Sequence, residues 1–188
     1  LWIVIFAYQR QQWCLGLNTR LIAGGGGVLL LSSFPTLVVW LREAGVGHAS
    51  QPTVWLIYAL SIAWVADSVA YFSGVRWGRH KLIPRVSPGK SWEGLLVGSG
   101  VTFLLCVVFI LSYLPSSAPR LMLMAISLVA IAASVLGDLS ISVVKRVSDV
   151  KDSGGLLPGH GGLLDRLDSL FAVVMVFALA SYCLRVMG

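Results

Sequence analysis

Five apolar runs, at about 21–41, 53–74, 95–114, 121–144 and 163–187, decide what this chain can fold into. Each is close to the ~20 residues that a helix needs to cross a bilayer. Hydrocarbon offers no partner to a bare N–H or C=O, so single runs of this kind must be helical, with their backbone bonds satisfied internally. The expected fold class is therefore all-α: a polytopic transmembrane helical bundle with about five complete spans, forming one integral-membrane domain over 1–188. A further run, LWIVIFAY, opens the chain without a methionine and is too short to span; it reads as the remainder of a truncated N-terminal span. GGGG at 24–27 and Pro35 make the first full span irregular, which neighbouring helices can tolerate. A phosphate loop is the weaker reading of those glycines.

Charge is scarce and unevenly placed. Only 12% of residues are charged, against about a quarter in soluble domains, and the net charge is +6. The basic residues flank the apolar runs, where topology and anionic headgroups account for them, so no nucleic-acid partner is expected. Placing the 76–94 and 145–162 loops on the cytoplasmic side puts eleven of the fourteen Lys and Arg there. The positive-inside rule then orients both loops toward cytosolic metabolites and the inner leaflet. Cys14, Cys106 and Cys183 are isolated, without CxxC spacing, and read as small core residues.

The densest polar stretch is SVVKRVSDVKDSGGLLPGHGGLLDRLD, from Ser142 to Asp168. Carboxylates and cations at a membrane mouth are costly, so such clusters point to function. Asp67 and Asp138 each precede the expected end of a span by about seven residues, or about 10 Å, and could share one polar funnel. Tyr71 follows Asp67 by one turn, while Ser142 and Lys145 follow Asp138 on one face. Asp165 and Asp168, three apart at a helix start, share a side; with Asp138 they could supply the few carboxylates that Mg²⁺ prefers. The bland alternatives are aspartates held by hydroxyls for packing, and acids that complement a helix dipole. Lys145, Arg146, Lys151 and Arg166 surround these acids and suit phosphate oxygens. His160 has no second histidine at zinc spacing, and is better matched to a phosphate or a loop hydrogen bond.

SPGKS, from Ser87 to Ser91, is not a P-loop, because Pro84 stands where the first glycine is required and no strand is expected before it. It reads instead as a Gly/Pro turn presenting Lys90 and serine hydroxyls to an anion, with Glu93 capping a helix that starts near Ser91.

Ser142, Lys145-Arg146, Lys151-Asp152, Pro158, His160-Gly161-Gly162 and Asp165-Arg166-x-Asp168 together resemble the signature of the phosphatidate cytidylyltransferase (CDP-diglyceride synthase) family. ADSVAYFSGVRWGRHKLIPRVSPGKSWEG looks like that family's second conserved block, so the resemblance covers the catalytic half, 66–188. It implies a usually dimeric inner-membrane enzyme that condenses CTP with phosphatidic acid, giving CDP-diacylglycerol and pyrophosphate with Mg²⁺, and with K⁺ as an accompanying cation. Carried over by position, it implies Asp138, Asp165 and Asp168 at the metal, and Lys145 and Arg146 beside them in catalysis. Substrate contacts would come from Asp67, Tyr71, Lys81, Ser87, Lys90, Ser142, Lys151, His160 and Arg166. The rival from another class is an ion- or proton-coupled transporter using Asp67 and Asp138. A CDP-alcohol phosphotransferase is the rival among enzymes, but only the GxxDxxD at Gly162–Asp168 fits it and an upstream DGxxAR is lacking.

Overall fold

A computed structural model describes residues 33–43, 52–84, 86–115, 119–147 and 164–187. Within these, helix α1 (33–43) is followed by α2 (Pro52–Trp77), strands β1 (Lys81–Ile83) and β2 (Ser87–Ser91), α3 (Trp92–Tyr113), α4 (Arg120–Val147) and α5 (Leu164–Met187). The all-α reading holds, with one small antiparallel hairpin added at the end where α2 and α3 meet.

Local chemistry sets the boundaries. Pro52 opens α2, where its missing N–H costs nothing. Ser91, in extended backbone, caps α3 by accepting the Gly94 amide at 3.2 Å. Pro115 follows the last turn of α3, and Arg120 reaches back to donate to the Leu114 carbonyl at 2.6 Å. Among the described residues three stretches, Thr53–Trp77, Trp92–Tyr113 and Arg120–Val143, are long and apolar enough to cross a membrane. The last expected span is a single helix, in which Ser169–Cys183 forms a shorter, mainly apolar stretch. Most of the first expected span, and the short run before it, lie outside the described residues.

The bundle closes on a core of Trp55, Tyr58, Ile62, Ile110, Ile131, Val173 and Phe177, drawn from all four long helices. Tyr58 stacks on Phe109 with centroids 4.6 Å apart, and its hydroxyl bonds Ser127 at 2.7 Å. Leu41 of α1 joins this core, and Phe34 meets Phe171 edge-on. Outward-facing Leu96, Leu104, Leu111 and Leu128 are each more than half exposed or close to it, the surface that hydrocarbon would cover.

Toward the hairpin end, α2 and α3 come together over small residues. A Cβ added at Gly98 would lie 2.8 Å from the Ala70 Cβ and 3.0 Å from the Ala66 carbonyl, and one at Gly94 would lie 2.7 Å from the Ala70 carbonyl. Ala66, Ala70 and Gly74 on α2 thus face Gly94 and Gly98 on α3 at four-residue spacing, the small-xxx-small contact that lets membrane helices touch backbone to backbone. Gly98→Ala should therefore lower the thermal stability of the detergent-purified protein by about 1–3 kcal/mol through overpacking. Gly100→Ala, where a methyl meets open space, should be neutral or raise it by up to about 1 kcal/mol.

Candidate functional site

The hairpin is the element that assembles the site. Its apolar side, Leu82, Ile83 and Val86, packs on Leu139 and Val143 of α4 in a small second core. Lys81 pairs with Ser91 and Ile83 with Ser87 across the ladder, and the Val86 amide closes the turn on the Ile83 carbonyl at 3.2 Å. Arg146, in the last turn of α4, donates from Nε to the Val86 carbonyl at 3.2 Å. With one edge so fixed on α4, the other strand carries Lys90 to Asp138, and the two side chains form an ion pair in which both are partly buried. Ser142, one turn along, donates to the other Asp138 oxygen at 3.4 Å.

A second clamp holds the hairpin to the helices at its base. The Glu93 carboxylate accepts the Arg79 and His80 amides at 3.2 Å and bonds His80 Nδ1 at 2.6 Å. The Trp92 amide donates to the His80 carbonyl at 2.9 Å. This corrects two expectations. Strand β1 does precede SPGKS, which is itself β2 and not a free turn. Glu93 does not reach back to Ser91, because the reciprocal cap needs Glu three residues after the serine and Glu93 is only two. Its carboxylate turns to the chain entering β1.

Between α2, the hairpin, α3 and α4 lies a cleft of about 830 Å³. Asp67, Tyr71, Lys81, Ser87, Lys90 and Asp138 all line it. Asp67 stands ten residues before the end of α2 and Asp138 nine before the end of α4, so both lie about 14–15 Å below the mouth. The matched depth expected from the sequence is kept, though both helices run further than expected. Ser169 of α5 donates to Asp67 at 2.7 Å, tying the fourth long helix to the cleft wall.

Other expected site residues fall elsewhere. Lys145 and Arg146 occupy the last turn of α4 and are not among the cleft-lining residues; the Arg146 guanidinium serves the hairpin. Asp165, Arg166 and Asp168 belong to the first turns of α5, but their side chains, with Lys151 and His160, lie outside what is described. Among the described residues no three His, Cys, Asp or Glu gather as a metal cluster. Sequence reasoning missed Glu93 as a clamp and Ser169 as the partner of Asp67. Nothing local marks the second, since 102 residues separate the pair.

The cleft thus carries two carboxylates, two ammonium groups and several hydroxyls at one end of a greasy bundle, a set able to hold phosphate oxygens and a hard cation together.

Residues 5–184 match the cytidylyltransferase family. The chain is 48% identical over 159 residues to the phosphatidate cytidylyltransferase of Haemophilus influenzae, covering 79% of this chain and 55% of that protein. It is 45% identical over 176 residues to the Pseudomonas aeruginosa phosphatidate cytidylyltransferase, covering 94% and 62%, and 44% identical over 124 residues to the one from Bacillus subtilis, covering 65% and 45%. The chain therefore spans about half the length of these curated relatives. None of these similarities supports a transporter.

If Glu93 holds the entry to β1, Glu93→Ala should expose the Arg79 and His80 amides. Their hydrogen exchange should quicken by about tenfold while mid-helix amides of α3 keep their protection. Unchanged exchange at both amides would remove the clamp.

Proposed function

The chain belongs to the cytidylyltransferase family, and from that premise we propose that it condenses CTP with phosphatidic acid, giving CDP-diacylglycerol and pyrophosphate. The observation that carries this reading is the cleft itself, in which Lys90 and Asp138 meet beside Asp67 and Lys81 at the hairpin end of the bundle. A phosphate monoester is already an anionic nucleophile. Its oxygen bonds to the α-phosphorus of CTP as the α–β anhydride bond breaks, and the electron pair leaves with pyrophosphate. No strong general base is needed, and offsetting the repulsion between anions is the main task.

On this reading Lys90 and Lys81 bind phosphate oxygens from the hairpin, with Lys145, Arg146, Lys151 and Arg166 adding positive charge at the mouth. Ser87, Tyr71, Ser142 and His160 offer hydrogen bonds, and Asp67, fixed by Ser169, sets the polar floor. The donor chemistry fits a hard cation: the Asp138 carboxylate opens on the cleft, and Mg²⁺ takes only one or two carboxylates with phosphate oxygens completing its shell. Asp138, with Asp165 and Asp168 from the start of α5, would hold Mg²⁺, which when bound offsets charge on the triphosphate and the leaving pyrophosphate. K⁺ is proposed as a second cation. The protein is proposed to work as a homodimer in the inner membrane, with the cleft facing the cytoplasm.

Transfer of label from CTP into chloroform-soluble lipid, dependent on added phosphatidic acid, tests the reading directly; purified protein that yields no labelled lipid overturns it. Asp138→Asn should cut turnover at least about a hundredfold without unfolding the protein, because an amide cannot replace a carboxylate beside a cation. Lys90→Ala should raise the KM for CTP about tenfold. Full activity in Asp138→Asn would remove that residue from the centre.

A further inference from the structure

One wall of the polar cleft faces two ways. Tyr71, Phe72 and Val75 of α2 line it together with Lys81, Lys90 and Asp138. The same three residues are 68%, 72% and 73% exposed, whereas the Lys90 and Asp138 side chains are 29% and 22% exposed. A side chain that closes a cavity has protein at its back, and these three do not. The cleft therefore opens sideways over the edge of α2, at a lip of aromatic and apolar side chains. Tyr71 and Phe72 pack edge to face there, with ring centroids 5.6 Å apart.

The contact between α2 and the start of α3 sets the height of that lip. A Cβ added at Gly74 or Gly78 would lie 3.1 Å or 2.6 Å from the Ser91 hydroxyl, so Ser91 stands beside this turn of α2. Lys90 precedes Ser91 in β2, and Val75 belongs to the same turn as Gly74. Cation and lip thus meet the cleft at one level. From Val75 into the membrane, Phe72, Ser68 and Trp64 follow at spacings of three and four on one outward face, and all of them are exposed. The eleven helical steps from Val75 to Trp64 cover about 17 Å, close to half of a ~30 Å hydrocarbon core. Asp67, the carboxylate nearest this face, is engaged by Ser169 of α5.

We infer that an acyl chain of the lipid substrate leaves the cleft over the lip of Tyr71, Phe72 and Val75 and lies along the face that ends at Trp64, while the lipid phosphate stays in the cleft beside Lys90. The inference rests on the function proposed above and adds to it the side from which the lipid enters. Charge complementarity selects the occupant. Inside the lip two ammonium groups favour an anion, and outside it an apolar face at membrane depth favours hydrocarbon. A molecule that satisfies both is anionic at one end and apolar at the other. A water-borne nucleotide meets only the first condition.

Phosphatidic acid with a diazirine on the first carbons of one chain should crosslink to Val75 or Phe72 in the detergent-purified protein, and a mid-chain diazirine to Ser68 or Trp64. An about tenfold excess of unlabelled dipalmitoyl phosphatidic acid should cut both labels at least about fivefold by mass action, and the same excess of phosphatidylcholine should leave them within about twofold. Val75→Gln and Phe72→Gln put an amide against methylenes, so each should raise the KM for dipalmitoyl phosphatidic acid about tenfold and leave that for CTP within about twofold of wild type. Leu96→Gln, at a similar depth on the exposed face of α3 and outside the cleft, should change neither. Labelling that phosphatidylcholine suppresses equally well marks bulk lipid and overturns the inference, and so does labelling confined to α3 and α4. Unchanged KM values in both lip variants overturn it as well. Should Val75→Gln instead lower the mass seen by light scattering with its KM unchanged, a second copy of the chain covers the lip and the inference falls. Selective lip labelling in a protein that forms no labelled lipid from CTP would sink the proposed reaction and leave the lip standing; product formation without label on α2 would do the reverse.

Discussion

Two helices that touch at glycine determine where everything else in this protein can be. Where Ala66 and Ala70 on α2 meet Gly94 and Gly98 on α3, there is no room for a single added carbon at either glycine, so the backbones meet directly. Bilayer lipid competes for apolar side chains as well as another helix does, and close approach of small residues is one of the few ways to favour helix against lipid. Because α2 and α3 are consecutive, that contact also fixes the distance the intervening chain must cover. A chain leaving α2 at Trp77 and entering α3 at Trp92 has no span to bridge and folds back on itself as a hairpin. The hairpin is thus a consequence of the glycine contact, and the side chains it carries are placed by it.

Placing charge near hydrocarbon requires partners on more than one element, and the cleft supplies them pairwise. Lys90 comes from the hairpin and Asp138 from a membrane-spanning helix; neither would be stable at that depth alone. Their meeting is prepared on the opposite edge of the hairpin, where Leu82, Ile83 and Val86 pack on Leu139 and Val143, and where Arg146 bonds the turn. Apolar contact sets the register, and the ion pair follows from it. Asp67 is treated similarly, held by a hydroxyl from α5. Every long helix contributes to the walls or supports of one cleft.

Much of this is legible in the residues. Run length alone gives α2, α3 and α4 to within three residues at either end, because the cost of unpaired backbone in hydrocarbon leaves no alternative to a helix. Asp67 and Asp138 stand out because charge within a span is rare, and both line the cleft. The hairpin was not legible: a three-residue strand gives no periodicity, and Pro84 and Pro88 argue against strands locally. Long-range pairs were equally hidden. That Lys90 would find Asp138, 48 residues away, depends on how four helices pack, and no local spacing records it. Glu93 misled because its position resembles a helix cap, while its partners are set by the return path of the chain.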